Sequence, residues 1–309
     1  MSCSFALSST TSPSPEPRSS HVAVVHEENL YLYGGWDSKN KQLTQHIWVL
    51  ASVTNTWTQH NTTGETPTHT ISSTATIITD TNNNIPQLVL FGGYDDNGNY
   101  SNDIHILDMK KFHWTKPTTK GKKPKERAGH VQWSTPTEIV VFAGFACGGV
   151  GYFNDIHRLD IASMTWNEPP TFGEPPSPRR GCSYAKKGDE GFVFGGEDGG
   201  NNLQDLHAFS LITNSWALLN THGQVPSVRH SATMNTVRGD LFICGGDDGR
   251  DVLSDCWVFN TGKGVWRKLG RFDGRFIHTA CELGDKILVY GGNNTKGESL
   301  SSLGEISFA

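Results

Sequence analysis

The chain has 309 residues, with 26 lysines and arginines set against 31 aspartates and glutamates, a formal charge of −5, and 35% hydrophobic residues. That balance argues against a nucleic-acid protein built on phosphate neutralisation, and no run approaches the ~18 uninterrupted apolar residues of a membrane-spanning helix. The opening MSCSFALSST lacks a basic segment followed by a long apolar one, and the six cysteines (Cys3, Cys147, Cys182, Cys244, Cys256, Cys281) form no C-x-x-C pair. The expectation is a cytoplasmic chain with reduced thiols, no membrane association and no metal knuckle.

In chain order the first element is a short apolar segment, Cys3 to Ser8, in which Phe5 lies 13 residues before Arg18. Six similar units follow, entered at Arg18, Thr70, Arg127, Arg179, Arg229 and Arg275. Within them an apolar run closes on a glycine pair as LYLYGG, LVLFGG, GFVFGG, LFICGG and ILVYGG, with VVFAG as a degenerate copy. The second glycines are Gly35, Gly93, Gly144, Gly196, Gly246 and Gly292, and Trp57, Trp114, Trp166, Trp216 and Trp266 follow the first five after 20 to 22 residues. A period near 50 marks one supersecondary unit repeated. Five entries sit 17 residues before the second glycine. Thr70 sits 23 before it, and the surplus is read as a lengthened hairpin at Thr81 to Asn84. In the fifth unit His230 follows Arg229 directly, whereas His21, His130 and His278 come three residues after their arginines, which leaves that boundary open by about two residues.

Each unit reads as four strands, with alternating β-branched and aromatic residues between Gly, Pro, Asn and Asp clusters. The sixth unit stops at LGEISFA, where a fourth strand is still owed. The 13 residues from Phe5 to Arg18 repeat those from Trp114 to Arg127, Trp166 to Arg179 and Trp216 to Arg229, so Phe5 takes the tryptophan position and Cys3 to Ser8 completes the last sheet. The expected units are approximately 18–60, 70–117, 127–169, 179–219, 229–269, and 275–309 joined by 3–8, in a single domain that uses the whole chain.

The glycine pair, the spaced tryptophan and the period resemble kelch repeats. The resemblance implies an all-β fold, a six-bladed kelch β-propeller whose last blade is closed by the N-terminal strand. The fourth and fifth units, with PSPRRGCSYAKKGDEGFVFGG, LQDLHAFSL and LSDCWVFN, are most similar to the short kelch-domain-containing proteins. Some of those are substrate receptors of cullin ubiquitin ligases that hold a substrate's terminal carboxylate with arginines, one of them just after a mid-chain glycine pair. Here that position is Glu197, an acceptor that repels a carboxylate. Phe153 keeps an aromatic before the third strand, and no recruiting tail like that of those receptors is expected from this sequence. The family also implies cytoskeletal scaffolds and enzymes, among them iron-dependent specifier proteins, copper oxidases and mutarotases. No glutamate here has an aspartate four residues later, so the iron-binding spacing of the specifier proteins is not met.

Antiparallel strands send the loops after the second and fourth strands to one face. That face collects the residues after the glycine pairs, the arginine entries and the residues leading into third strands. Its singular side chains are the candidate partner-binding residues: Trp36, Tyr94, Phe145, Tyr152, Phe153, Arg180, His230, Arg250 and Phe276. Trp, Tyr and Arg dominate interface hot spots, so the expected activity is non-catalytic capture of a protein or peptide, with no cofactor and no metal. A ubiquitin-ligase or cytoskeletal partner is implied by the family alone. The repeated arginines read as structural ties. His105, His157 and His207, each in an Asp-x-His, read as strand hydrogen bonding, because equivalent positions of successive sheets are ~10 Å apart and zinc needs nitrogens at ~2.0–2.1 Å. The lysines at 120, 122, 123 and 125 read as a solvated loop, with anion binding or nuclear import as the alternative.

Overall fold

The computed structural model describes residues 2–9, 13–79, 84–149 and 151–309. Each repeat is an antiparallel sheet running from the axis outwards. In blade 1 the strands are Val22–His26, Asn29–Tyr33, Ile47–Ala51 and Thr56–His60. Blade 2 has Thr74–Thr79, Pro86–Phe91, Ile104–Asp108 and His113–Thr115; blade 3 has Val131–Ser134, Glu138–Phe142, Ile156–Asp160 and Thr165–Asn167. Blade 4 has Ser183–Lys187, Glu190–Phe194, Leu206–Ser210 and Ser215–Leu218; blade 5 has Thr233–Val237, Asp240–Cys244, Asp255–Asn260 and Val265–Arg271. In blade 6, Thr279–Leu283, Lys286–Tyr290 and Leu303–Phe308 are joined by Cys3–Leu7, with Phe5 opposite Ile306. The innermost strands touch in sequence from blade 1 to blade 6 and back to blade 1, so the ring is closed.

Four blades carry a fifth element that the repeat pattern had not shown. An x-Gly dipeptide (Thr63–Gly64, Lys120–Gly121, Phe172–Gly173, His222–Gly223) lies parallel to the fourth strand on the outer edge of blades 2, 3, 4 and 5. The lengthened hairpin expected at Thr81 to Asn84 falls, except for Asn84, on residues 80–83, outside the described residues.

The tryptophans are inter-blade wedges. Trp114 packs on Tyr33 at a centroid distance of 4.9 Å, Trp166 on Phe91 at 5.3 Å, Trp216 on Phe142 at 4.6 Å, Trp266 on Phe194 at 5.3 Å, and Trp57 on Tyr290 at 5.4 Å. Each partner is the aromatic just before the preceding blade's glycine pair. At the blade 5–6 seam that residue is Cys244, and Phe5 meets Phe272 edge-on at 5.9 Å within the same core.

The glycine pair is explained by two rings of hydrogen bonds across blades. The N–H of the second glycine donates to the carbonyl of the next blade's entry residue at all six seams, from Gly35 to Thr70 (3.2 Å) round to Gly292 to Arg18 (2.9 Å). The first glycine lies against that same carbonyl. A Cβ on Gly245 would sit 2.4 Å from the Arg275 oxygen, and one on Gly92 would sit 2.7 Å from the Arg127 oxygen. A residue without a side chain makes so close an approach easiest, although blade 3 holds Ala143 at this position with φ 62°.

Nearer the axis a second ring joins the residues two after each entry. Ser72 donates to Ser20, Gly129 to Ser72, Gly181 to Gly129, Ser231 to Gly181, Ile277 to Ser231 and Ser20 to Ile277, at 2.7–3.0 Å. All six have positive φ, and Ile277, at 47°, is the β-branched one.

A candidate partner-binding bowl

The entry arginines are ties, not ligands. Arg18, Arg127, Arg179, Arg229 and Arg275 are at most 1% exposed. Arg179 Nη1 donates to the Gly195 carbonyl at 3.0 Å while its two Nη groups reach both Asp205 oxygens at 2.6 and 2.8 Å. Arg127 does the same with Ala143 and Asp155, and Arg229 with Gly245 and Asp255. The fifth repeat is therefore in register at Arg229. Blade 2 has Thr70 at this position, and its aspartate, Asp103, is met instead by Lys116 (2.7 Å) and Lys123 (3.1 Å). Burial alone would raise the Asp103 carboxyl, but the two ammonium groups bring it down to about 2.

His157 and His207 bond to these same carboxylates, Asp155 at 2.9 Å and Asp205 at 2.8 Å, each within its own blade. Among the described residues no three His, Cys, Asp or Glu side chains are grouped to hold a metal ion. The lysine patch is drawn to the outer edge of blade 3, where Lys120 lies in the x-Gly strand and Lys122 pairs with Glu168.

Above the inner ring lies a bowl of about 250 Å³; below it a channel cavity of about 490 Å³ runs between the innermost strands, and the six ring residues border both. The bowl is shaped by pairing between each entry's following residue and the residue after the glycine pair. Ala128 bridges Phe145, Arg180 bridges Glu197, His230 bridges Asp247 and Phe276 bridges Asn293. Backbone groups are thereby used up, and the side chains stand free on the wall. Tyr94, Phe145, Arg180, His230 and Phe276 line it together with Tyr100 and Glu197.

The wall is asymmetric. Over blades 2 to 4 the rings form a continuous arc: Tyr94 stacks on Tyr100 (5.4 Å), Tyr100 meets Phe145 edge-on (6.1 Å), and Phe145 leans on Tyr152 (4.8 Å). The Arg180 guanidinium caps the arc, 4.9 Å from the Phe145 centroid and 6.0 Å from that of Tyr152. Its Nε donates to Glu197 Oε1, which also accepts the Tyr152 hydroxyl at 3.2 Å. Arg180 is nevertheless 43% exposed along its side chain. Burial, and then the Cys147 thiol 3.4 Å away, push the Tyr100 phenol up, so it stays a neutral hydroxyl. The opposite wall holds His230, with Nε2 3.9 Å from an Asp247 oxygen, and Phe276.

The remaining sequence candidates lie elsewhere. Phe153 is beneath the buried Arg127, 4.2 Å from guanidinium to ring centroid, and so serves the tie. Trp36 bridges Ser19 and lies outside the bowl lining, as does Arg250, exposed in the turn held by Asp248. Tyr152 supports the arc from behind. Topology sorts Tyr100 and Glu197 to this face, but neither was among the candidate partner-binding residues; the signal for Tyr100 was its place before the third strand of blade 2, matching Tyr152 in blade 3.

A closed six-bladed propeller with an aromatic, arginine-capped bowl on one face defines a class of repeat protein whose loops form the working surface. The chain belongs to the kelch-repeat family: residues 74–246 and 184–296 match the KLHDC2/KLHL20/DRC7 Kelch-repeats domain, and residues 17–59 match the Kelch motif. Similar curated proteins include Kelch domain-containing protein 1 of Homo sapiens, 30% identical over 211 residues that cover 59% of this chain and 50% of that one. Kelch domain-containing protein 2 of Bos taurus is 28% identical over 214 residues, covering 59% and 51%. Acyl-CoA-binding domain-containing protein 4 of Arabidopsis thaliana is 29% identical over 184 residues, covering 59% and 26%. The match thus spans about half the length of the kelch-domain relatives. Among solved structures, that of YjhT superposes with a TM-score of 0.76 at 18% identity, covering 96% of both chains, a likeness of fold.

Proposed function

We propose that this propeller is a non-catalytic recognition module that holds an extended protein segment in the bowl, the part played by an adaptor or substrate-recognition subunit. The carrying observation is the Tyr94–Tyr100–Phe145–Tyr152 arc with its half-exposed arginine. Rigid aromatic surface contributes large contact area at low entropic cost, and an arginine already stacked and hydrogen-bonded to Glu197 is pre-organised for a ligand carbonyl. Kelch-domain relatives support a protein-interaction role. The Arg180–Glu197 pair neutralises the wall cation, so the reading does not require a terminal carboxylate.

The test is a random peptide-display selection on the intact protein, with enriched peptides assayed by fluorescence polarisation against Phe145→Ala, Arg180→Ala and Trp36→Ala. Loss of binding by about tenfold or more in the first two, with Trp36→Ala unchanged, is expected, the size of a hot-spot truncation. Peptides that bind all three variants alike would overturn the assignment of the bowl.

A further inference from the structure

The seams between blades show where the molecule leaves a β-sheet edge open. From each tryptophan to the next entry residue the chain takes 13 steps, from Trp57 to Thr70, Trp114 to Arg127, Trp166 to Arg179 and Trp216 to Arg229; from Trp266 to Arg275 it takes nine. In these four long linkers the extra residues include the x-Gly dipeptide that covers the next blade's outer strand; the linker from Phe5 to Arg18 also takes 13 steps, but its residues 10–12 lie outside the described residues, and blade 1 shows four strands. The short linker has none, and blade 6 ends in four strands with Cys3–Leu7 outermost.

The pairing phase of that strand is fixed at its ends. Ser2 and Ala309 exchange hydrogen bonds, and Ser8 donates to Leu303. Even-numbered residues therefore bond inwards to Leu303–Phe308, and the N–H and C=O groups of Cys3, Phe5 and Leu7 point to the outer side, where Gly270 of blade 5 lies beside the Cys3 carbonyl. Uncovered edges are ordinarily blunted by charge, proline or a bulge. The sequence Cys-Ser-Phe-Ala-Leu has none of these, and Leu7 is 63% exposed.

The covered blades show what fits such an edge. In all four the N–H of x donates two residues before the tryptophan position (Thr63 to Phe112, 3.1 Å), and in blades 2 and 3 the residue after the glycine also donates to the tryptophan carbonyl (Glu65 to Trp114, 3.0 Å; Lys122 to Trp166, 2.9 Å). The glycine is required, because a Cβ there would lie 2.1 to 2.7 Å from that carbonyl in all four cases. The side chain of x varies freely among Thr, Lys, Phe and His. In two of the four, glutamate follows the glycine. Next to the open edge, the neighbouring strand Val265–Arg271 exposes Arg267, Lys268 and Arg271, and its Gly270 lies against Cys3.

We propose that the outer edge of Cys3–Leu7 is a docking site for an extended x-Gly-Glu segment of a partner protein, added as a short parallel strand. Its x N–H would donate to the Cys3 carbonyl and its Glu N–H to the Phe5 carbonyl, with the glutamate towards the arginines and lysine of blade 5. This site is separate from the bowl and stands whether or not the bowl binds a peptide.

The probe is the chain's own covering sequence as a labelled peptide, Asn-Thr-Thr-Gly-Glu-Thr-Pro-Thr, assayed by fluorescence polarisation against the full chain. One protein variant copies the four residues Thr-His-Gly-Gln after Arg271, restoring a 13-residue linker that can close the edge internally. Saturable binding is expected, about tenfold weaker when the peptide glycine is replaced by valine, and about tenfold weaker again to the insertion variant. The second variant, Phe5→Ala, retains every backbone group of the edge and is expected to keep binding, which separates strand addition from side-chain capture. Absence of saturable binding overturns the proposal, and so does binding indifferent to the valine substitution. A concentration-dependent dimer that disappears in the insertion variant, seen by sedimentation, would assign the edge to a second copy of this chain instead.

Discussion

His130 and His278 are two of the buried histidines, with His21 and His105, whose imidazoles are held below their ordinary range by burial, and they make the stability of this propeller depend on pH between about 7 and 5, above the ordinary carboxylate range. His130 Nε2 bonds to Thr74 Oγ1 across the blade 2–3 seam, and His278 Nε2 bonds to Thr233 Oγ1 at 3.1 Å across the blade 5–6 seam. In both rings Nδ1 is buried with no protein partner among the described residues. Burial, and then the neighbouring Arg127 or Arg275, lower each imidazole from 6.5 to about 3. The unfolded chain therefore takes up two protons near pH 6.5 that the folded chain refuses, and stability falls as pH drops from about 6.5 towards 3 while staying flat above. Each ring contributes a loss of ~1.4 kcal/mol per pH unit, so from pH 7 to pH 5 the pair accounts for about 4 kcal/mol, a large part of a typical 5–15 kcal/mol total. Urea unfolding followed by tryptophan fluorescence at pH 7 and pH 5 measures it, comparing the wild type with His130→Gln/His278→Gln. The double variant should start less stable at pH 7 and lose about 4 kcal/mol less on acidification. An equal loss in both proteins would refute the reasoning.

Removing the Arg179 tie by Arg179→Ala should cost about 2–3 kcal/mol, because the buried Gly195 carbonyl loses its donor and half-buried Asp205 keeps only His207, and Arg179→Lys should recover little, since an ammonium cannot span one carbonyl and two carboxylate oxygens at once. Urea midpoints of both variants check this. Gly92→Ala, whose methyl would meet the Arg127 oxygen and the His130 ring, should cost about 3 kcal/mol, against about 1 kcal/mol for Gly98→Ala, which has φ 80° but nothing within 4 Å. At Ile277, in the inner ring with φ 47°, replacement by glycine should raise stability by about 1 kcal/mol, read as a higher thermal midpoint, by relieving a β-branched residue from the left-handed region.

Much of the fold was legible because spacing is strictly geometric. The 13 residues from Phe5 to Arg18 placed the closing strand, and Phe5 does stand opposite Ile306 as Trp266 stands opposite Phe259. The x-Gly strands were missed because two residues have no period to detect, and the inner ring was missed because Ser, Gly and Ile satisfy one backbone requirement without a shared side chain. For the bowl, topology sorted residues to a face but not to its wall. Tyr152 and Phe153 are adjacent aromatics, and which of them rises to the arc depends on the Arg127 guanidinium that lies over Phe153, a contact no local pattern encodes. Trp36 and Arg250 were chosen for being singular, a property independent of distance from the axis.

The seam chemistry explains how one backbone tolerates a variable bowl. A histidine three residues after the entry occurs in blades 1, 3 and 6, and in each case the preceding blade offers a threonine: Thr279, Thr74 and Thr233. At the blade 4–5 seam the acceptor position is Ser183 and the histidine position is Ala232, and the Ser183 hydroxyl is buried with no partner among the described residues. Side-chain clasps thus come and go while both backbone rings persist at every seam. The residue directly after each entry pairs through its main chain with the residue after the glycine pair of its own blade, and its side chain takes no part in the two rings that close the circle. Arg180, His230 and Phe276 all occupy that position. The fold fixes where those side chains stand without constraining what they are, so the bowl can be specialised for a ligand with little effect on the stability of the ring.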